Sequence, residues 1–143
     1  MKDISLENAN DFGIENKHSI MENGEKRFRL LCKSDKTAYI RAEGGNTGYW
    51  QKSHYHKTIK ELYIIQKGSI LVAEYINDKL EIKKINENEY FSLEPNIPHN
   101  IYMYPNTITH TVKYGKIDDY DWIPCGKLDK ILKNINIKEY QKN

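Results

Sequence analysis

Along most of the chain, short runs of alternating apolar and polar residues are separated by turn residues. Residues 26–33 set Phe28, Leu30 and Cys32 on one side and Arg27 and Arg29 on the other, the period of a half-buried strand. Residues 37–42 read as the next strand. The stretch 43–48 carries Gly44, Gly45 and Gly48, which predicts a loop using backbone conformations that other residues avoid. Further strands are predicted over 49–56, 62–66, 69–76, 79–85, 90–93, 100–104 and 107–114, each rich in aromatic or β-branched residues. Asn77-Asp78 and Asn86-Glu87-Asn88 fall between consecutive runs, as tight hairpin connections require. Many short, closely spaced strands argue for a sandwich or barrel. Only the tail departs: Leu128, Ile131, Leu132 and Ile135 follow helical spacing, predicting a short C-terminal helix over about 126–136, with Pro124 and Gly126 at its start. The expectation is an all-β domain spanning residues 1–143.

Composition narrows the function classes. The 143 residues suit a single core, and 29% charged against 38% hydrophobic residues is a globular balance. The eleven tyrosines agree with strands. Lys and Arg number 22 and Asp and Glu 20, so a net charge of +2, spread without clusters, offers no electrostatic reason for nucleic acid or an anionic membrane. Neither a bilayer-spanning apolar run nor a signal-peptide core is present, which makes a cytoplasmic location the default expectation. Cys32 and Cys125 lack CxxC spacing and read as two buried thiols. His18 falls in a polar N-terminal stretch and is expected at the surface.

The candidate chemistry is concentrated in two stretches. His54 and His56 are two residues apart, so on one strand they share a face and bring their imidazoles together. Glu61 shares parity with Tyr63 and Ile65, and a carboxylate on an apolar face needs a partner or a metal. Pro95 and Pro98 stiffen a turn that delivers His99 to the start of another strand. Three imidazoles and one carboxylate suit a divalent transition metal (Fe, Mn, Ni, Co or Zn) and poorly match calcium or magnesium.

These residues stand in a spacing that resembles the cupin family. Its first motif runs glycine, five residues, histidine, one, histidine, three or four, glutamate, six, glycine; Gly48, His54, His56, Glu61 and Gly68 meet every element. Its second motif, over 88–103, is matched more loosely. Asn88 and Asn96 stand at its glycines, Glu94 at its proline, His99 at its histidine and Met103 at its final asparagine. Asn tolerates the left-handed turn conformation, so the backbone role of those glycines can survive. The resemblance implies a jelly roll or double-stranded β-barrel holding one metal ion on His54, His56, Glu61 and His99, and a homodimer.

Family resemblance does not choose a reaction, because cupins include dioxygenases, isomerases, epimerases, decarboxylases, seed storage proteins and ligand sensors. The leading expectation is a metal-dependent enzyme, an isomerase, epimerase or dioxygenase, acting on a small oxygen-rich metabolite such as a sugar derivative, keto acid or polyol. The alternatives are a non-catalytic sensing barrel and a metal-free sugar-nucleotide isomerase or epimerase with a histidine base and a tyrosine acid. No segment reads as a helix-turn-helix. His110, if its face of residues 107–114 turns inward, and Tyr63 are the candidate catalytic pair. Tyr39, Trp50, Tyr63, Phe91, Tyr102 and Tyr104 are candidates to wall a cavity. Arg41 and Lys113 are expected on a solvated outer face, from which they would not meet a ligand, and Trp122 is expected to anchor the tail.

Overall fold

The computed structural model describes residues 1–115 and 121–141. After a short helix, α1 (Leu6–Asp11), come β1 (Ile14–Ile20), β2 (Lys26–Cys32), β3 (Ala38–Glu43), β4 (Tyr49–Trp50), β5 (His54–Tyr55) and β6 (Lys60–Lys67). Then follow β7 (Ser69–Ile76), β8 (Lys79–Asn86), β9 (Tyr90–Leu93), β10 (His99–Met103), β11 (Ile108–Tyr114), β12 (Ile123–Pro124) and α2 (Gly126–Leu132), with a 3₁₀ turn at Ile137–Tyr140. One antiparallel sheet has the order β1-β2-β3-β11-β6-β9 and the other β12-β5-β10-β7-β8, with β4 beside β10. This is the jelly-roll arrangement of two sheets enclosing a core, as the strand pattern predicts. None of the described helices is long and apolar enough to cross a membrane.

Local chemistry explains several turns. Asn77 and Asp78 both take positive φ (50° and 61°), the mirror-image turn that matches hairpin twist. Asn88 and Asn96, at the two glycine positions of the second motif, are also left-handed at 67° and 65°. The glycine-rich loop differs from expectation: Gly44, Gly45 and Gly48 are not left-handed. Gly45 is needed for close approach instead, because a Cβ there would run into the Asn23 carbonyl. The N-terminal helix and β1 were not legible in the alternation, since β1 is half-buried at most along its length.

Inward residues of the first sheet form cross-strand rows. Arg27, Ala42, Thr109 and Ile65 make one, then Arg29, Ile40, Thr111 and Tyr63, then Leu31, Ala38, Lys113 and Glu61. The apolar core, Ile65, Ile70, Val72, Leu93, Ile101 and Met103 among others, fills one end of the barrel. In β2 the faces are the reverse of the half-buried reading: Arg27 and Arg29 point in, while Phe28 and Leu30 are 39% and 46% exposed. Cys32 and Cys125 are half-buried free thiols, not fully buried ones. On the second sheet the outer face is covered by α2, whose Leu128 and Leu132 pack with Ala73, Tyr75 and Leu80. The helix ends at Leu132, short of residue 136, although Ile135 still packs against the same cluster.

The expected strand over 49–56 is broken for a definite reason. Trp50 lies opposite Tyr102 and His54 opposite His99, so four steps along one strand match three along β10. The extra residue is a bulge, which reverses the parity of side chains beyond it. Asn100, fully buried, fastens it by donating to the Gln51 carbonyl (2.8 Å) and to Ser53 Oγ (2.9 Å). Asn100→Leu keeps the volume but strands those acceptors, and is expected to cost about 1–3 kcal/mol. Thermal or urea unfolding measures it; a variant as stable as the wild type would mean that the bulge needs no such clamp.

Candidate metal centre

The bulge turns His54 inward at β5, and the turn before β10 delivers His99 directly across from it. His56 follows just past β5, and Glu61 opens β6. One ligating atom from each of the four lies within 4.8 Å of the others. Two ligands of one ion at ordinary metal–nitrogen and metal–oxygen distances stand about 3–4 Å apart, so these atoms are spaced to surround a common point. The imidazole centroids are 4.8 Å apart for His54 and His56, 4.5 Å for His54 and His99, and 5.7 Å for His56 and His99.

Each ring is oriented by its far nitrogen. His54 Nδ1 donates to the Lys52 carbonyl (2.8 Å), His99 Nδ1 to the Ile97 carbonyl (3.0 Å), and His56 Nδ1 to the Asp121 carbonyl. A carbonyl only accepts, so Nδ1 carries the proton; in His54 and His99 this turns the Nε2 lone pair toward the cluster, the arrangement usual for metal-ligating histidine. Among the described residues His54 Nε2, His99 Nε2 and Glu61 Oε2 are buried without a hydrogen-bond partner, an arrangement native interiors rarely tolerate. His56 Nε2 lies 2.6 Å from Glu61 Oε1, to which Lys113 Nζ also points at 3.5 Å.

Electrostatics put these groups in the state a metal demands. Burial, then the neighbouring His99, pushes His54 down to about 4, and burial likewise lowers His99. Burial would raise Glu61, but Lys113, the His56 hydrogen bond and His99 together hold it well below the usual carboxylate range. Near neutral pH His54 and His99 therefore present unprotonated nitrogens beside an ionised Glu61 carboxylate. Nitrogen-rich donors with three unpartnered atoms converging fit a divalent transition ion rather than calcium or magnesium.

A residue that sequence reasoning missed holds the rim. The Asp121 carboxylate accepts from the backbone N–H groups of Lys57, Thr58 and Ile59 and from the Thr58 hydroxyl, while its carbonyl fixes His56. These bonds outweigh burial and lower its pKa. Nothing in the sequence distinguishes Asp121 from Asp118 and Asp119, because its partners lie more than sixty positions away.

The other candidates divide. Tyr63 comes to the cluster; burial and the nearby Glu61 carboxylate push its hydroxyl well above the usual tyrosine range. His110 does not. It lies on the outer face of β11, opposite in parity to buried Thr109 and Thr111, and bonds Tyr39 Oη and Gln66 Oε1 (both 2.6 Å). The condition attached to its proton-transfer role, an inward face, is thus not met. Tyr39 is likewise outward, and Tyr102 and Tyr104 pack with each other and Trp50 away from the ligands. Phe91, with Tyr63, packs on the core. Arg41 is outside, bonded to Gln66 and Glu43, as expected, whereas Lys113 is inside. Trp122 stacks on His54 at 5.0 Å and lines two cavities. One, of about 450 Å³, also holds His54, Trp50, Arg27 and Tyr49; the other, of about 250 Å³, holds His56, Lys113 and Arg29.

A two-sheet jelly roll carrying three imidazoles and a carboxylate at one end is the cupin fold with a site competent to bind metal. Solved structures share the fold. The chain resembles Bacillus subtilis oxalate decarboxylase, a structure described for its Mn(II) centres, with TM-score 0.60 and 14% identity over 90% of this chain and 37% of the decarboxylase. It also resembles KdgF from Halomonas sp., with TM-score 0.56 and 14% identity over 72% of this chain and 89% of KdgF. Both are cupins, and at these identities the likeness is one of fold. The chain spans little more than a third of the decarboxylase's length. No family model and no curated protein matches it in sequence.

Asp121→Ala removes four accepted hydrogen bonds from the loop that carries His56 toward Glu61. Metal affinity is expected to fall about 10- to 100-fold. Competition with a chromophoric chelator reads this directly, and affinity equal to that of the wild type would count against Asp121 as a positioning residue.

Proposed function

We propose that the chain acts as one cupin unit in which His54, His56, Glu61 and His99 hold a single divalent transition-metal ion, and that it is an enzyme acting on a small oxygen-rich metabolite. The observation that carries this is that His54, His56, Glu61 and His99 each bring a ligating atom within 4.8 Å of the others, while His54 Nε2, His99 Nε2 and Glu61 Oε2 are buried and unpartnered among the described residues. A bound divalent ion would supply Lewis acidity toward ligand oxygens. The protein's own groups do the rest. Lys113, on the Glu61 side, offers a positive charge to a ligand oxygen. Tyr63 keeps its proton at neutral pH and can donate a hydrogen bond or act as an acid from beneath Glu61. Trp122, stacked on His54, walls the two cavities that open beside the cluster. The metal-free isomerase reading needs a histidine base, which it cannot draw from the outward-facing His110.

We further propose a homodimer formed through the outer face of the β1-β2-β3-β11-β6-β9 sheet. Phe28, Leu30, Tyr39, Ile64 and Tyr90 are all exposed there, whereas α2 covers the corresponding face of the other sheet. A cytoplasmic location agrees with the free thiols of Cys32 and Cys125.

Protein purified without added metal is expected to carry about one transition-metal ion per chain, and His56→Ala or Glu61→Gln to lose it together with any turnover. Elemental analysis decides; a wild type free of transition metal, or turnover that survives its removal, would defeat the proposal. Ligand binding without product would instead assign the barrel to sensing. For the interface, Leu30→Glu should convert a species with the mass of two chains into one of single-chain mass by light scattering. A wild type that is already monomeric would rule the dimer out.

A further inference from the structure

Beside the ligand cluster, the cavity of about 250 Å³ has an unusual lining. Three cationic side chains, Arg29, Lys36 and Lys113, share it with His56, over an apolar wall that includes Leu31 and Ile40. The acidic groups within reach are already engaged. Asp121 is satisfied by its four donors, and Glu61 belongs to the ligand cluster. Arg27, one inward position along β2, is neutralised by the fully buried Glu25 at 3.3 Å. Arg29 is not: among the described residues it forms no ion pair, and its side chain donates to Ser19 Oγ at 2.8 Å. An inward guanidinium without a carboxylate, Lys36 on its flank and Lys113, whose charge Glu61 shares at 3.5 Å, over a small apolar wall make a cavity short of one anion.

We propose that this cavity is the subsite for a substrate carboxylate, with the Arg29 guanidinium as its fork and Lys36 and Lys113 as flanking charges. The substrate class of the reaction thereby narrows to small 2-hydroxy or 2-oxo acids, whose second oxygen lies next to the carboxylate and can turn toward the His56 side of the cavity. The volume equals that of on the order of eight water molecules, which favours an acid of a few carbons over a nucleotide sugar. The assignment rests on the metal-centre reading for what lies at the oxygen's other end. The anion site itself depends only on Arg29 and its neighbours.

Isothermal titration of lactate and of propane-1,2-diol, its neutral counterpart, into metal-loaded and chelator-treated protein tests it. Lactate is expected to bind both forms, more tightly with metal, and Arg29→Gln to weaken it by about 10- to 100-fold in each, as loss of a charge-assisted pair does. Metal content should be unchanged and Arg29→Lys should recover part of the affinity, since it restores the charge without the fork. The diol should be indifferent to the substitution. Equal binding of diol and lactate, unchanged affinity in Arg29→Gln, or no lactate binding to either form would overturn the subsite. If the protein takes up no metal, the metal-centre reading fails, while the Arg29 dependence in metal-free protein still decides this one. Should Arg29→Gln not fold, Arg29→Lys carries the comparison through its loss of bidentate geometry.

Discussion

The site depends on one extra residue. In a regular antiparallel ladder, neighbours alternate between faces, and Trp50 and His54, four apart, would look the same way. Trp50 packs against Tyr102 on the outer side of β10, yet His54 faces inward, because the bulge between them shifts parity once. Without it Ser53 would oppose His99 and the imidazole would point away from the cluster. Asn100 is the clamp on this geometry, and its burial on β10 ties the bulge to the strand that also carries His99.

Two of the three histidines are then aimed by a short-range device. His54 and His99 each donate to the carbonyl two residues before themselves, so their orientation is written into a few residues of backbone. His56 is different. Its ring is held from Asp121, 65 positions further along the chain, and the same residue gathers the Lys57–Ile59 amides. Closure of that rim is therefore a tertiary event, coupling the third imidazole to completion of the fold.

That contrast explains what could be read from sequence. Strand alternation, the Asn77-Asp78 turn, the left-handed Asn88 and Asn96 and the shared parity of Glu61, Tyr63 and Ile65 are local properties, and all are found in place. Alternation says that two faces exist without saying which is inside. So β2, read from Phe28 and Leu30, has its faces exchanged, and Lys113 and His110 are exchanged with it on β11. Apolar side chains at an outer face mimic a core-facing pattern, whereas inward arginines need a neighbour such as Glu25 that only tertiary structure supplies. The bulge was hidden for a similar reason: only the partner strand reveals the miscount.

The inward rows run from an apolar end at Ile65, Val72 and Met103 to a charged end at Glu61 and Lys113. This gradient divides labour along the barrel axis. Cohesion is concentrated at the apolar end, and the rim that carries the candidate site is assembled from turns and strand tips that contribute less to it. Such a layout lets rim residues vary while the foundation persists, which is compatible with a fold shared at an identity of about one residue in seven.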